Sequence, residues 1–364
     1  MNALLILSAG GAIAFLVWFG RWVGRAMGYA FCNATVSARE SKILAGARLD
    51  EITGAPDIRT IYPSLEERGL RVKIAENGGI DWLETERAFH ESVSREISEI
   101  LEIVPGDAKP IVRRLAGYRE MINLKVVVTG LHEGAAKDEI ASRLIPCPTD
   151  LGRFELLASA GSIEGLLEFL KGSEYYDALA GAMDDYRRHG LAPLISAIER
   201  SYYSKLWETA KKSKELIRIF GLWIDSVNLT TAMRLRRSGL QPDRIGKYLI
   251  LPGYGLTEGM IRAFVSESDL RSAVHSIRIT EVGRFLQEHV EELEVAGLEE
   301  IEKMLRGLLL ATCRFEAMRN FFSACPVVSY ILQRETEVEN VRTVLRMRAA
   351  GFPPEEVRRR LITG

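Results

Sequence analysis

Apolar residues recur at three- and four-residue spacing along nearly the whole chain, as in LLEFLKGSEYYDALAGAMDDY from Leu166 and IEKMLRGLLLATCRFEAMRNFF from Ile301. That period matches the helical turn and predicts buried stripes on helices. Alternation with period two, the mark of a half-buried strand, is almost absent. The β-branched run Val126-Val127-Val128-Thr129 lies inside a helical pattern and reads as the buried face of a helix. Glycine and proline separate the segments at Pro105-Gly106, at Pro146 to Pro148 and at Leu251-Pro252-Gly253. The expectation is an all-α protein.

The first twenty-six residues have a different pattern. No charge occurs from Asn2 to Gly20, and as a helix this stretch spans roughly 28 Å, the thickness of a hydrocarbon core. Arg21 and Arg25 follow, with Trp18 and Trp22 near the boundary where aromatic belts sit. Residues 1–26 therefore read as a hydrophobic helix and membrane anchor, with the body on the cytoplasmic side. Two alternatives stay open. One is a cleaved signal peptide, although Met1-Asn2 has no basic side chain and Ala26-Met27-Gly28 is a poor cleavage site. The other is a native start at Met27.

The most informative pattern is internal. The windows NLKVVVTGLHEGAAKDEIASRLI from Asn123, NLTTAMRLRRSGLQPDRIGKYLI from Asn228 and NVRTVLRMRAAGFPPEEVRRRLI from Asn340 align without a gap. Each carries glycine eleven places after its Asn (Gly134, Gly239, Gly351) and closes on Leu-Ile. An acid precedes each Asn by three places: Glu120, Asp225 and Glu337. The spacing of the anchors predicts three helical units of about 110 residues, at 27–147, 148–252 and 253–364.

Each window reads as a helix ended by glycine in the left-handed C-cap conformation. A second helix follows, opened by Pro242 or by Pro353-Pro354 in units two and three. The acid and Asn, at i and i+3, share a helix face. A repeated ligand or ion site is one reading; a structural hydrogen bond tying each hairpin to the other helices of its unit is the other. The second is preferred, because no His or Cys joins the pair.

Composition narrows the function. The chain has 364 residues, 47% hydrophobic and 27% charged, which excludes a disordered protein. Net charge is −1, without the basic excess of a dedicated nucleic-acid binder. Cys32, Cys147, Cys313 and Cys325 have no metal or redox spacing and read as reduced thiols. The acidic run from Glu288 to Lys303 reads as a solvated helix face, as do the arginines Arg234, Arg236, Arg237, Arg342, Arg346, Arg348 and Arg358 to Arg360. No phosphate loop is present: Gly246-Lys247 lacks the upstream glycine and is followed by Tyr248. His90-Glu91 and His132-Glu133 lack the second His of a zinc helix, and no GxSxG occurs. The sequence predicts no catalytic, cofactor-binding or metal site.

Several segments resemble one family, the C subunit of archaeal A-type ATP synthases, itself similar to the d subunit of eukaryotic V-type ATPases. These are YAFCNATVSARESKIL from Tyr29, SEYYDAL from Ser173, YLILPGYGL from Tyr248, and the Asn-centred REMINLK, IDSVNLTTAMRLRRSGL and ETEVENVRTVLRMRAAG. The resemblance covers roughly Tyr29 to Leu361. Thr35 and Ser37 stand where the family commonly has arginines, and the hydrophobic N-terminus departs from its usual form. The resemblance implies a pseudo-threefold all-α funnel between central-stalk shaft subunits (D and F type) and the membrane proteolipid ring, transmitting torque without catalysis. It places the chain at the cytoplasmic face of the membrane, with proton or sodium transport coupled to ATP. The alternative is a membrane-anchored α-helical scaffold unrelated to rotation.

Overall fold

The helical period is realised throughout: among the described residues there are helices and one isolated bridge, Ile74 to Ile80, but no strand. The computed structural model describes residues 2–147, 151–296 and 298–363, with the side chains of 2–15, 151, 295 and 296 outside that description.

The first third of the chain forms α1 (Asn2–Glu40), α2 (Ala47–Gly54), α3 (Tyr62–Glu67), α4 (Trp82–Ile103), α5 (Lys109–Ala116), α6 (Tyr118–Glu133) and α7 (Lys137–Ser142). The middle holds α8 (Leu151–Ala158), α9 (Ile163–Leu170), α10 (Tyr176–His189), α11 (Ala192–Ala210), α12 (Ile217–Arg237) and α13 (Pro242–Ile245). The last third adds α14 (Glu258–Ser266), α15 (Leu270–Ser276), α16 (Glu281–Glu288), α17 (Val290–Ala296), α18 (Leu298–Arg319), α19 (Cys325–Ala349) and α20 (Pro354–Arg360).

The amphipathic stripes explain which faces pack. In α4, Phe89, Val93, Ile97 and Ile100 are buried on one stripe, and the Asp81 side chain caps its start by accepting from the Glu84 amide at 3.0 Å. In α1, Tyr29, Cys32, Asn33 and Val36 are buried at helical spacing. The run Val126 to Thr129 lies within α6, with Val127 and Val128 fully buried. In contrast, α19 is buried on nearly every side from Cys325 to Val338, as expected of a helix at the centre of a helical body.

The long helices pack in a cycle. Helix α6 packs on α11, α12 on α18, and α19 back on α4. The short helices repeat the order, with α7 on α8, α13 on α14 and α20 on α2. The end of the chain thus meets its beginning, and one hydrophobic core runs through all three parts.

The glycines of the three windows end their helices alike, with φ of +71° at Gly134, +92° at Gly239 and +85° at Gly351. Beyond each, one amide reaches back around the turn: Ala135 to the Gly130 carbonyl, Leu240 to Leu235 and Phe352 to Met347, at 2.9 to 3.0 Å. This is the bonding of a Schellman cap. A Cβ at Gly239 has room, its nearest neighbour being His189 Nδ1 at 3.8 Å, so backbone conformation alone opposes a side chain there. Gly239→Val is expected to lower unfolding free energy by more than about 1 kcal/mol, read from the denaturant midpoint. An unchanged midpoint would refute the cap's role.

Among the described residues no helix is long and apolar enough to cross a membrane. The anchor expectation at residues 1–26 falls largely on side chains outside the described set. The acidic run is solvated but spread over α16, α17 and α18: Glu288, Glu291, Glu292, Glu294 and Glu299 are exposed, and Glu294 pairs with Arg271, Glu299 with Arg360 and Glu302 with Arg234. Several of the arginines also have partners. Arg234 joins Glu199 and Glu302, Arg342 and Arg346 share Glu86, and Arg358 faces Asp50.

Candidate functional site

Each window's Asn is a two-point clamp. The Asn123 amide donates to the Ile145 carbonyl and its oxygen accepts from the Ile145 N–H, both at 2.9 Å. Asn228 does the same to Ile250 at 3.0 and 2.7 Å, and Asn340 to Ile362 at 2.8 Å in both directions. An Asn side chain mimics a peptide group, so it satisfies both backbone groups of one residue. The three partners stand at the same sequence separation, 22 residues. Thus the amide joins the two arms of its own hairpin, not the hairpin to other helices of its unit.

The acids reach further. Asp225 accepts the amides of Tyr254, Gly255 and Leu256 at 3.0, 2.6 and 3.1 Å, holding the loop that leads into α14. Burial pushes its carboxyl pKa up while those amides pull it down, and burial prevails. The same loop leaves little space for a side chain: a Cβ at Gly253 would sit 2.8 Å from the Leu256 carbonyl and 2.9 Å from Asp225 Oδ1. Glu337 accepts the Leu44 amide at 2.8 Å, in the loop that leads into α2. The segment following the first window contains residues 148–150, outside the described residues; Glu120 itself is half-buried in the first turn of α6. Asp225 and Glu337 each tie one hairpin to the segment that follows it in the cycle, the second closing the end of the chain on its start.

Around Glu337 lies a buried ionic cluster. Arg334 donates to Glu337 at 2.6 Å, to Glu96 at 3.0 Å and to the Arg68 carbonyl at 3.1 Å. Arg68 donates to Glu337 at 3.1 Å, and the Tyr330 hydroxyl donates to Glu96. The Arg334 and Glu337 side chains are essentially inaccessible, so each charge depends on its partners. Nearby, Arg119 is fully buried and meets Glu335 at 2.8 Å, linking α6 to α19.

His90 sits beside this region. Burial first, then the positive charges of Arg119 and Arg342, lower its pKa from 6.5 to about 3. Folded His90 is therefore neutral where the unfolded chain takes up a proton, so stability falls as pH drops below about 6.5 and continues to fall towards 3. Between pH 7 and 5 the protein should lose about 2 kcal/mol that His90→Gln does not lose. Parallel pH profiles of the two denaturant midpoints would contradict this.

The starts of α5, α12 and α19 converge. A cavity of about 450 Å³ is lined by Asp107 and Ala108 before α5, Ser213 and Leu216 before α12, and Ser323 and Ala324 before α19. Arg25 and Tyr29 of α1 line it too. Gly239 and Gly351 lie just past the far ends of α12 and α19, and Gly134 just past the end of α6, which follows α5.

Comparisons with known proteins give this architecture a family. A family model described as "ATP synthase (C/AC39) subunit" matches residues 32–360. The chain belongs to the ATP synthase (C/AC39) subunit family. Relatives named as the C subunit of A-type ATP synthases agree over most of their length. That of Methanocaldococcus jannaschii is 24% identical, covering 96% of this chain and 90% of the relative. That of Haloferax volcanii is 29% identical over 78% and 82%, and that of Haloquadratum walsbyi 29% over 90% and 96%.

In this C/AC39 family member the Asn clamps recur in all three windows, whereas the buried ions do not. Arg119, Arg334, Arg68 and Glu96 have no counterparts in the aligned windows: the column of Arg334 holds Gly117 and Leu222, and that of Arg119 holds Ile224 and Thr336. Asp185 is likewise invisible, although it is fully buried and holds Arg244, Lys247 and the Tyr248 hydroxyl.

Proposed function

We propose that this chain is the non-catalytic coupling component of an A-type rotary ATP synthase. In this reading it joins the central-stalk shaft, through D- and F-type subunits, to the membrane proteolipid ring, so that ATP turnover and proton or sodium movement are linked. It works at the cytoplasmic face of the membrane, peripherally or with the start of α1 as an anchor. The units 27–147, 148–252 and 253–364 are its three structural parts.

The observation that supports this best is the closed cycle of packed hairpins in a member of the C/AC39 family. A part that passes torque must not yield within itself. Here each hairpin is clamped to its own second arm, and Asp225 and Glu337 add ties across the cycle. A body closed on itself also has no free terminal unit to peel away under load.

The test is removal and restoration in the purified complex. Without this protein, the soluble head should still hydrolyse ATP while ATP-driven ion pumping into vesicles disappears, and adding it back should restore pumping. Undiminished pumping without it, or ATP hydrolysis by the isolated chain, would refute the reading.

A further inference from the structure

We infer that the second hairpin docks an acidic, amphipathic segment of the shaft, and so fixes one rotational register among three similar ones. This rests on the shaft-joining role proposed above and adds the residues and the chemistry of the partner surface.

The hairpin tips lie far from the place where α1 enters the body. Arg25 and Tyr29 of α1 line the cavity at the starts of α5, α12 and α19. From there α12 runs 21 residues, roughly 30 Å, to Arg237. Helix α19 runs 25 residues from the same place. Helix α6 continues α5 through Gly117, which keeps helical dihedrals (φ −66°, ψ −6°). The three tips therefore share the end remote from that cavity. In the placement proposed above the start of α1 faces the membrane, so the tips face the shaft.

One tip carries charge that the fold does not use. Three and two places before the tip glycine, the second window has Arg236 and Arg237, where the first has Leu131 and His132 and the third Arg348 and Ala349. His132 bonds the Tyr186 hydroxyl, and Arg348 turns inward to the carbonyls of Ala55 and Phe352. Glu133 and Glu139 of the first tip are both held by Arg143. Arg236 and Arg237 are exposed, and among the described residues neither makes a salt bridge, whereas Arg234 is engaged by Glu199 and Glu302. The end of α10 lies beside them, with His189 Nδ1 3.8 Å from a Cβ built at Gly239, and it brings the exposed Arg188. Helix dipoles favour cations at both helix ends, but at about half a charge per helix they do not neutralise these side chains. Nearby carboxylates have other duties. Asp185 holds both Arg244 and Lys247, Asp243 answers the dipole of α13 from its first turn, and Asp269 accepts the Ser272 amide at 2.8 Å. That leaves Glu267 facing two guanidiniums.

The same guanidiniums rim an apolar groove. It has a volume of about 410 Å³ and is lined by Met233, Phe264, Val265 and Leu270 together with Arg236 and Arg237. An apolar floor within a cationic rim suits a helix that presents an apolar anchor with carboxylates a turn away. The corresponding place in the first third is lined differently. There α2 packs on α20 as α14 packs on α13, and the cavity beyond α2, about 770 Å³, is lined by Lys42, Arg48, Glu51 and Glu67, charges of both signs. A shaft turned by one third of a revolution would meet mixed charge in place of the cationic rim, which is how near-equivalent seats are told apart. A second copy of this chain makes a poor occupant, because its acidic tip at Glu133 and Glu139 is already neutralised by Arg143.

The test uses the purified full chain and the D- and F-type shaft subunits of the same complex. Wild-type protein should bind them, more weakly as salt rises. Arg236→Glu with Arg237→Glu should bind about tenfold more weakly or worse and lose most of the salt dependence. Arg236→Lys with Arg237→Lys should retain binding. Leu270→Ser should weaken binding while keeping its salt dependence. Lys137→Glu with Arg359→Glu makes the same change in net charge at the other two hairpins and should bind like wild type. Photocross-linkers attached through Ala136→Cys, Gln241→Cys and Ala350→Cys should each reach a different segment of the shaft.

Equal binding by all variants, or one shaft segment reached from all three tips, would overturn the inference and leave the coupling role standing. Failure of the wild-type chain to bind the shaft subunits at all would refute the coupling role and the docking tip with it. If Arg236→Glu with Arg237→Glu kept shaft binding but abolished self-association, or attachment to phosphatidylglycerol vesicles, the groove would belong to a second copy or to lipid and the inference would fall.

Discussion

Replacing Glu337 by alanine is expected to cost about 3–5 kcal/mol of unfolding free energy, the range for breaking a buried ion pair from one side. The Glu337 side chain is inaccessible and accepts from Arg334, Arg68 and the Leu44 amide. Its removal leaves two guanidiniums, at 1% and 9% side-chain exposure, to share Glu96. It also orphans the Leu44 backbone amide, in the loop between α1 and α2. Glu337→Gln keeps an acceptor for that amide but not the charge, so its loss should be smaller. The measurement is a denaturant melt of the three proteins. A loss below about 1 kcal/mol for the alanine variant would mean that solvent reaches the cluster and that it contributes little.

The contrast between this cluster and the clamps shows what a sequence makes legible. The helix-ending glycines and the Asn clamps recur at fixed spacing because each solves a local backbone problem that arises three times. A glycine must take positive φ at Gly134, Gly239 and Gly351, and an amide must satisfy Ile145, Ile250 and Ile362. Such solutions leave a pattern along the chain. The ionic cluster solves its problem once, between Arg68, Glu96 and Arg334, residues far apart in sequence and without repeated counterparts. Helix α19 is hard to orient from its sequence for a related reason, since being surrounded on all sides removes the polar face on which periodicity depends. The all-α class and the helix placement of Val126 to Thr129 were legible because helical period persists even in β-branched runs. The meeting of three helix starts at one cavity, and the paired state of most hairpin arginines, are tertiary facts that no local spacing encodes.

Asn228→Ala should be the second most damaging of these changes, at about 2–4 kcal/mol, because it leaves both polar backbone groups of Ile250 without partners. Asn228 is fully buried and Ile250 is 4% exposed, so water cannot readily replace the amide. Asn228→Asp separates the roles of the two bonds. An aspartate oxygen still accepts from the Ile250 N–H, but its other oxygen faces the Ile250 carbonyl and repels it. It also buries a second carboxylate close to Asp225: a Cβ built at Gly253 would lie 2.9 Å from Asp225 Oδ1 and 3.4 Å from Asn228 Nδ2. Asp225 already occupies a site where burial raises the pKa, so a neighbouring negative charge should push it further up. The aspartate variant should therefore be less stable than the alanine variant at neutral pH and should recover part of the difference on mild acidification, as the pair takes up a proton. Asn340→Ala offers the internal comparison. Its clamp has the same geometry, but Ile362 is only half-buried, so water can satisfy part of what the amide did. Its cost should be the smaller of the two alanine variants. Equal losses at the two positions would mean that the clamps act through something other than the satisfaction of buried backbone groups.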